Sequence, residues 1–532
     1  MRFAAALLGV MLSATLFGLS FPPVGIRPLA FVCLVPLLLV LRRGGIGVAL
    51  FLAWLWGLLA AYAIAPEFSS SIADYYARPL WVGWACTIAI STVTGSVYYM
   101  AFTPVHRGLA RRSHPLVPLL VAAAWVGIEL GRSRLLTDTQ ILVGNPWGLL
   151  GYTQSGPGAM AQIASITGVY GLSFAVVAIN AALAEFVVAW RDPLRSVRSG
   201  VPGLALAALP AVAIYAYGTV VLHAAPPASA GEGFVRIAVI QANVSNGRQW
   251  RSDFYGVNLD LYLDLTRQAF REGQPEIVFW PESSLTFFLE AEPDYLRAIG
   301  RAFAEDDAEL LAGGPSGDGR GEDPHYNSMF VLSNAGELRG RYDKQILVPF
   351  SEYFPLGSLG VMRRHVEGAT VFAHGRPRPP LETRAGRAGI LVCNEAMLPE
   401  LAAQRVREGA SYLVNPSNDS WLAGHGFAEQ MFQIVSLRAV EQRRYLVRAS
   451  TSGPSAVIDP WGRVLVRSAA FERQILLGGV RPQETRTWYA QIGDLFGFLC
   501  LASAAGGLAW TRNCSSNSLA TGYATPRSNR HP

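Results

Sequence analysis

The chain has 532 residues, of which 51% are hydrophobic and only 15% charged, with a formal net charge of +6. That balance is too apolar for an ordinary soluble enzyme. The charge is also unevenly placed: residues 1–222 hold thirteen arginines and six acids, a net of +7, while the remainder carries −1. The excess therefore sits in the apolar half, where it reports membrane orientation and not nucleic-acid binding.

Apolar segments long enough, or nearly so, to cross a bilayer occur near 3–20, 27–41, 45–65, 80–103, 115–131, 168–190, 202–222 and 492–510. The first has no small-residue cleavage site and reads as a retained span. Arg2, Arg42-Arg43, Arg107/Arg111/Arg112, Arg191/Arg195/Arg198 and Arg512 fall at alternate ends of these spans. The positive-inside rule then predicts cytoplasmic termini and an outward-facing segment 223–490. The expected organisation is a membrane domain at 1–222 with about seven helices, a linker at 223–233, a catalytic domain at 234–490, a last span at 491–512 and a disordered tail at 513–532.

Beyond the linker the pattern changes to short β-branched runs: Val235–Gln241, Glu276–Trp280, Glu309–Ala312, Ser328–Ser333, Ala388–Cys393, Tyr412–Asn415, Tyr445–Ser450, Ser455–Ile458 and Ile475–Val480. Helical stretches at 256–272, 294–305 and 427–443 separate several of them, which predicts an α/β domain with a layered sheet. The Gly-rich segment 313–321 reads as a loop. It is not a phosphate-binding P-loop, because the motif needs Gly-Lys-Ser/Thr and the one lysine follows Asp343.

That lysine, Lys344, stands among 43 arginines. Codon bias toward arginine is one explanation. The other is a chemical task for a compact ammonium that a planar guanidinium cannot perform. Two further strand ends carry reactive groups, Trp280-Pro-Glu282 and Cys393-Asn-Glu395. Ligands of α/β sheets bind beyond the carboxyl ends of strands, so Glu282 and Cys393 are candidates to converge. Together the three make a nucleophile set: a carboxylate base, a thiol, and an ammonium that favours the thiolate and stabilises an oxyanion. Taken singly, each has a structural reading as a core cysteine, a turn carboxylate or a surface ion-pair partner. The other cysteines, Cys33, Cys86, Cys500 and Cys514, lie in apolar runs or the polar tail and suggest neither disulfides nor zinc. No Gly-x-Ser-x-Gly or His-Glu-x-x-His motif is present, and a pyridoxal Schiff base at Lys344 lacks a phosphate-binding context.

In chain order, Trp280-Pro-Glu282, Tyr342-Asp-Lys344 with Leu347–Glu352, and Cys393-Asn-Glu395 resemble the Glu-Lys-Cys triad of the nitrilase superfamily. Asn415–Trp421, Gln430, Arg438–Glu441, Arg448-Ala-Ser and the membrane-half segment Asn145–Gln154, together with the multi-span architecture, are similar to bacterial apolipoprotein N-acyltransferases. The resemblance covers roughly residues 1–511. It implies a multi-span α-helical membrane domain carrying a layered α-β-β-α nitrilase-like sandwich, with no cofactor and no metal. It also implies a monomer in the bacterial inner membrane, its catalytic domain on the periplasmic side. The acyl donor would be a phospholipid and the acceptor the S-diacylglyceryl cysteine of an apolipoprotein. Glu282, Lys344 and Cys393 would be catalytic, with Glu352, Glu395, Asn418 and Trp421 in support. The same triad with water as acceptor would make a membrane-tethered amidase. Asn394, Ser351 and Met431 replace the family's usual Tyr, Gly and His, which bears on acyl-chain and acceptor preference.

Overall fold

The computed structural model describes residues 3–135, 144–191, 201–228, 233–245, 252–317, 324–353, 372–421 and 424–520. The apolar half forms helices α1 (Phe3–Ser20), α2 (Val35–Leu41), α3 (Ile46–Ile64), α4 (Phe68–Tyr75), α5 (Leu80–Ser91), α6 (Val97–Leu109), α7 (Val117–Arg134), α8 (Val169–Arg191) and α9 (Val201–His223). A five-residue π-turn, Thr92–Ser96, joins α5 to α6, so Leu80–Leu109 runs as one 30-residue helical span. Five helical segments among the described residues are long and apolar enough to cross a membrane: α1, α3, the α5–α6 unit, α8 and α9. The expected second span is a 3₁₀ turn at Arg27–Phe31 followed by the seven-residue α2. Prolines at the start of each piece break it, since Pro lacks the amide hydrogen a continuous helix needs. Trp56, Trp125 and Tyr99 pack edge-on or stacked at the centre of the bundle, with centroids 4.8–5.7 Å apart. The chain is a membrane protein.

The second half builds two six-stranded sheets. The first takes the order β12-β1-β2-β3-β4-β5 and the second β11-β10-β9-β8-β7-β6. The strands are β1 (Val235–Gln241), β2 (Ile277–Phe279), β3 (Glu309–Ser316), β4 (Tyr326–Leu332), β5 (Leu338–Asp343), β6 (Leu381–Thr383), β7 (Gly386–Ile390), β8 (Tyr412–Ser417), β9 (Leu446–Ser450), β10 (Ala456–Ile458), β11 (Val464–Arg467) and β12 (Gln474–Val480). In each sheet a parallel trio, β1-β2-β3 or β7-β8-β9, lies at the centre. These strands are apolar on both faces because both faces are covered. Ile237, Val239, Phe279 and Leu311 pack against Ile390, Val414 and Val447 between the sheets. Helices α10 (Tyr255–Gly273) and α11 (Pro293–Phe303) cover the outer face of the first sheet, and α12 (Pro399–Arg407) and α13 (His425–Gln442) that of the second. The architecture is an α-β-β-α sandwich, as the resemblance implied.

Some expectations need correction. Residues 313–316 are the end of β3 and not a loop. Gly313 and Gly314 are there because the Glu282 turn lies against them: a Cβ on Gly313 would sit 2.7 Å from the Glu282 Cα. Strands β5, β6 and β11, all at sheet edges, fall outside the runs read from sequence: β5 is interrupted by Arg339 and Arg341, and β6 and β11 are only three and four residues long. The last helix, α14 (Leu495–Ala520), continues past the expected end of the span at 512. Part of the expected linker and the end of the tail lie outside the described residues.

The two halves are joined by specific contacts along α13. Gln430 Nε2 donates to the Pro22 carbonyl at 2.9 Å and also to that of Ile64. The Glu67 carboxylate, just before α4, accepts the Phe427 amide at 2.9 Å in the first turn of α13. Phe427 stacks on Trp147 with centroids 4.2 Å apart. Deeper in the contact, Arg438 reaches Tyr152 at 3.1 Å and Glu441 at 3.0 Å, all three buried.

Candidate active site

Glu282 follows β2, Lys344 follows β5, Cys393 follows β7, and Asn418 follows β8. Convergence therefore comes from the sandwich: these strands of both sheets end at one edge, where the side chains meet at the end of the inter-sheet core, to which Cys393 itself belongs.

Trp280 locks the Glu282 turn. Its amide donates to Leu311 O at 2.8 Å and its indole to Thr266 at 3.0 Å. Ser283, next to Glu282, takes a positive φ of 56°, which bends the chain back over β3. The carboxylate is 5% exposed and fully engaged. Oε1 accepts from Asn327 Nδ2 at 2.7 Å and Lys344 Nζ at 3.3 Å, and Oε2 accepts the Asn418 amide at 2.8 Å.

Lys344 is 1% exposed and lies between two carboxylates, 3.3 Å from Glu282 and 2.9 Å from Glu352. Asn327 Nδ2 bridges the same pair, donating to both at 2.7 Å. Burial opposes the charge on Lys344, but Glu282 and Glu352 together outweigh it, so the ammonium is held above its usual range. Glu352 is itself aimed by the Val348 amide at 2.7 Å.

Cys393 has φ +50°, a left-handed conformation that non-glycine residues seldom adopt and that marks a sharp strand-to-helix turn. Burial, with Glu282 next, pushes its thiol up, while Lys344 pulls it down. The sequence reading expected the ammonium to favour the thiolate. It does act in that direction, but burial and the surrounding carboxylates outweigh it, so the resting group is a thiol. Ser417 Oγ lies 3.7 Å from the sulfur and donates to Asp419 at 2.7 Å. Asp419 is fixed by Arg448 at 2.6 Å and Ser450 at 2.8 Å.

The supporting candidates take different places. Glu352 joins Lys344 directly. Glu395 lies beneath the site, fully buried. It accepts from the amides of Val392 and Gln345 at 2.7 Å and from Tyr342 at 3.0 Å. It thereby ties the turn before Cys393 to the turn after Lys344. Burial pushes its carboxyl up, against the opposing pull of Arg405 and Lys344. Asn418 reaches Glu282 through its backbone. Trp421 stands toward the membrane half, edge-on to Phe427 at 6.0 Å and to Tyr75 at 6.3 Å. Of the substituted positions, Ser351 meets Tyr75 at 3.0 Å, Asn394 donates to Ile346 O at 3.2 Å, and Met431 is buried on α13. Asn327, Ser417, Asp419 and Arg448 were not among the predicted site residues. Ser417, Asp419 and Arg448 lie in the Asn415–Trp421 and Arg448-Ala-Ser motifs, which could have flagged them, whereas Asn327 carries no local signal.

Residues 236–490, whose α-β-β-α sandwich brings a carboxylate, an ammonium and a thiol to one edge, match the carbon–nitrogen hydrolase family. Carried on a helical membrane bundle, this sandwich is a membrane-anchored member of that class. Residues 13–182 match the apolipoprotein N-acyltransferase N-terminal domain. The chain is 35% identical over 507 residues to the apolipoprotein N-acyltransferase of Geobacter metallireducens, covering 93% of each. It is 32% identical over 484 residues to that of Azotobacter vinelandii, covering 90% of this chain and 89% of the relative. The chain belongs to the apolipoprotein N-acyltransferase family. Among solved structures, an amidase from Nesterenkonia sp. is similar at TM-score 0.37 and 18% identity, covering 51% of this chain and 98% of that one.

Proposed function

We propose that the chain transfers a fatty acyl group from a phospholipid to the N-terminal amine of an S-diacylglyceryl cysteine on an apolipoprotein, through a thioester on Cys393. The observation that carries this reading is the buried Glu282–Lys344–Glu352 cluster beside Cys393, facing a membrane bundle docked through α13. Both substrates are lipid-anchored, and a site held at the membrane surface reaches them without extracting either.

In the first step Glu282 takes the Cys393 proton as the sulfur attacks the ester carbonyl. Because the thiol is held up, proton transfer accompanies bond formation. The tetrahedral oxyanion is stabilised by Lys344, whose charge Glu282 and Glu352 maintain. Collapse breaks the ester bond, Glu282 returns the proton to the glycerol oxygen, and a lysophospholipid leaves. In the second step the acceptor amine attacks the thioester, Glu282 takes its proton, and that proton goes to the departing Cys393 sulfur. Glu352 and Glu395 position Lys344 and Cys393, a backbone amide near Cys393 assists the oxyanion, and Trp421 lines the path from the membrane. The enzyme works as a monomer in the inner membrane with residues 234–490 on the periplasmic side.

The test is mass spectrometry of the purified full chain mixed with phospholipid. The expected result is an acyl adduct on Cys393 that persists and then moves to a diacylated lipopeptide. An adduct that is lost to water equally fast with or without lipopeptide would establish the amidase reading instead. Folded protein that forms no adduct would refute both.

A further inference from the structure

The arginine-rich end of the bundle contains a cavity unrelated to the catalytic edge. It has a volume of about 200 Å³ and lies between three helices, lined by Ala5 and Gly9 of α1, Leu39 and Val40 of α2, and Val187 and Val188 of α8. Arg43 and Arg191 complete the lining. The apolar slot is narrowed where α1 approaches α2: a Cβ on Gly9 would lie 2.8 Å from Val40 Cγ2.

The neighbouring cations are committed to structure. Arg42 pairs with Glu185 at 2.8 Å, and Arg107 donates to the carbonyls of Leu41 and Gly44 at 2.9 Å. Arg43 and Arg191 are exposed, and neither guanidinium has an acidic partner among the described residues. Two guanidiniums with no acidic partner among the described residues, at an apolar slot between membrane helices, complement a ligand with an anionic head and a hydrocarbon tail.

The position separates this slot from the acyl donor. Just beyond the C-terminal end of α1, Pro22 meets Gln430 of the catalytic domain, and Ala5 lies roughly 25 Å back along that helix at 1.5 Å per residue. On α8, Val169 lies beside Glu441 of the catalytic domain, and Arg191 is about 33 Å away by the same rise. That span is close to the thickness of a bilayer's hydrocarbon core. The slot therefore opens in the leaflet opposite the catalytic edge, out of reach of Cys393.

We infer that this slot binds an anionic glycerophospholipid of the leaflet opposite the catalytic domain, with its phosphate between Arg43 and Arg191 and an acyl chain against Gly9, Val40 and Val188. Such a lipid clamps α1, α2 and α8 together and is not consumed.

Native mass spectrometry of the full chain, with Cys393→Ala throughout so that no lipid is turned over, tests the site. Phosphatidylglycerol titrated into the detergent-solubilised protein is expected to give one tightly retained equivalent that phosphatidylcholine does not replace. Arg43→Gln with Arg191→Gln should weaken that equivalent at least tenfold. Val188→Trp, which keeps both cations and fills the slot, should weaken it similarly, while Arg43→Lys with Arg191→Lys should retain it. Unchanged retention in the Gln pair or in Val188→Trp would overturn the proposal. So would displacement by inorganic phosphate alone, which would mark a simple anion site without a chain-binding slot.

Discussion

Lys344 and Glu352 stand eight residues apart in sequence and 2.9 Å apart in space, with Lys344 only 1% exposed. The short loop between them folds back so that the Val348 amide aims the carboxylate at the ammonium. A buried charge is tolerated only when paired and hydrogen-bonded, and here a second carboxylate, Glu282, and a bridging amide, Asn327, complete the arrangement. A compact ammonium fits between the two carboxylates, and this packing gives the lone lysine a reason beyond codon bias.

Lys344→Arg tests that reason directly. The wider planar fork keeps the charge but misplaces its donors. Thioester formation is expected to fall by about 100-fold or more, in the range seen for loss of an oxyanion donor. Adduct formation at a near-normal rate would return Lys344 to an accident of coding.

The raised Cys393 thiol predicts a pH profile. Below its pKa the thiolate fraction grows about tenfold per pH unit, so alkylation by iodoacetamide should climb from pH 7 to pH 9 without a plateau. Lys344→Met removes the group that pulls the thiol down and should slow alkylation further at every pH in that range. A plateau below pH 8 in the unmodified protein would contradict this.

Asp419 acts on the same sulfur with the opposite sign, since its negative charge helps hold the thiol up. Asp419→Asn should therefore speed alkylation at neutral pH. It also leaves Arg448 buried without its charge partner, a loss that costs about 3–5 kcal/mol of stability. Denaturant unfolding and alkylation rate together separate the two effects. Ser417→Ala, which removes the hydroxyl beside the sulfur without stranding a charge, should lower the acylation rate with little change in unfolding.

Gly313→Ala introduces a methyl 2.7 Å from the Glu282 Cα and from the Pro281 carbonyl oxygen. Backbone must shift to admit it, and displacement of the base turn should lower kcat at least tenfold, consistent with the sensitivity of catalysis to small misplacements. An activity assay alongside circular dichroism distinguishes this from global unfolding.

The membrane half also reaches the site. Tyr76 donates to Phe350 O at 2.9 Å, and Phe350 holds a positive φ of 64° two residues before Glu352. Tyr76→Phe removes a hydrogen bond worth about 0.5–1.5 kcal/mol, and the freed loop should hold Glu352 less firmly. The expected outcome is a kcat reduced by up to about tenfold with unchanged lipid KM.

The amino-acid sequence carried the features set by local chemistry. Apolar runs of membrane length, strand runs apolar on both faces and helical stretches of the right spacing come from the residues themselves, and β1 and α13 fall almost where the pattern puts them. Glu282 and Lys344 stood out as candidates because of local signals, Trp-Pro before Glu282 and a single lysine at 344, and Cys393 because it ends a strand-like run. The short edge strands β6 and β11, the arginine-bearing β5 and the Gly313 packing were not legible, because their reason lies in a partner from another segment. Only the tertiary structure decided how the groups act on one another. Glu282 meets Lys344 across 62 residues and Asn418 across 136, and Gln430 of α13 meets Pro22 across 408. Asn327 takes its place from Glu282 and Glu352, and Asp419 from Arg448 and Ser450, all distant in sequence. Spacing in a chain encodes local periodicity, but burial and electrostatics depend on which distant side chains share a volume, and that is settled only when the two sheets close face to face.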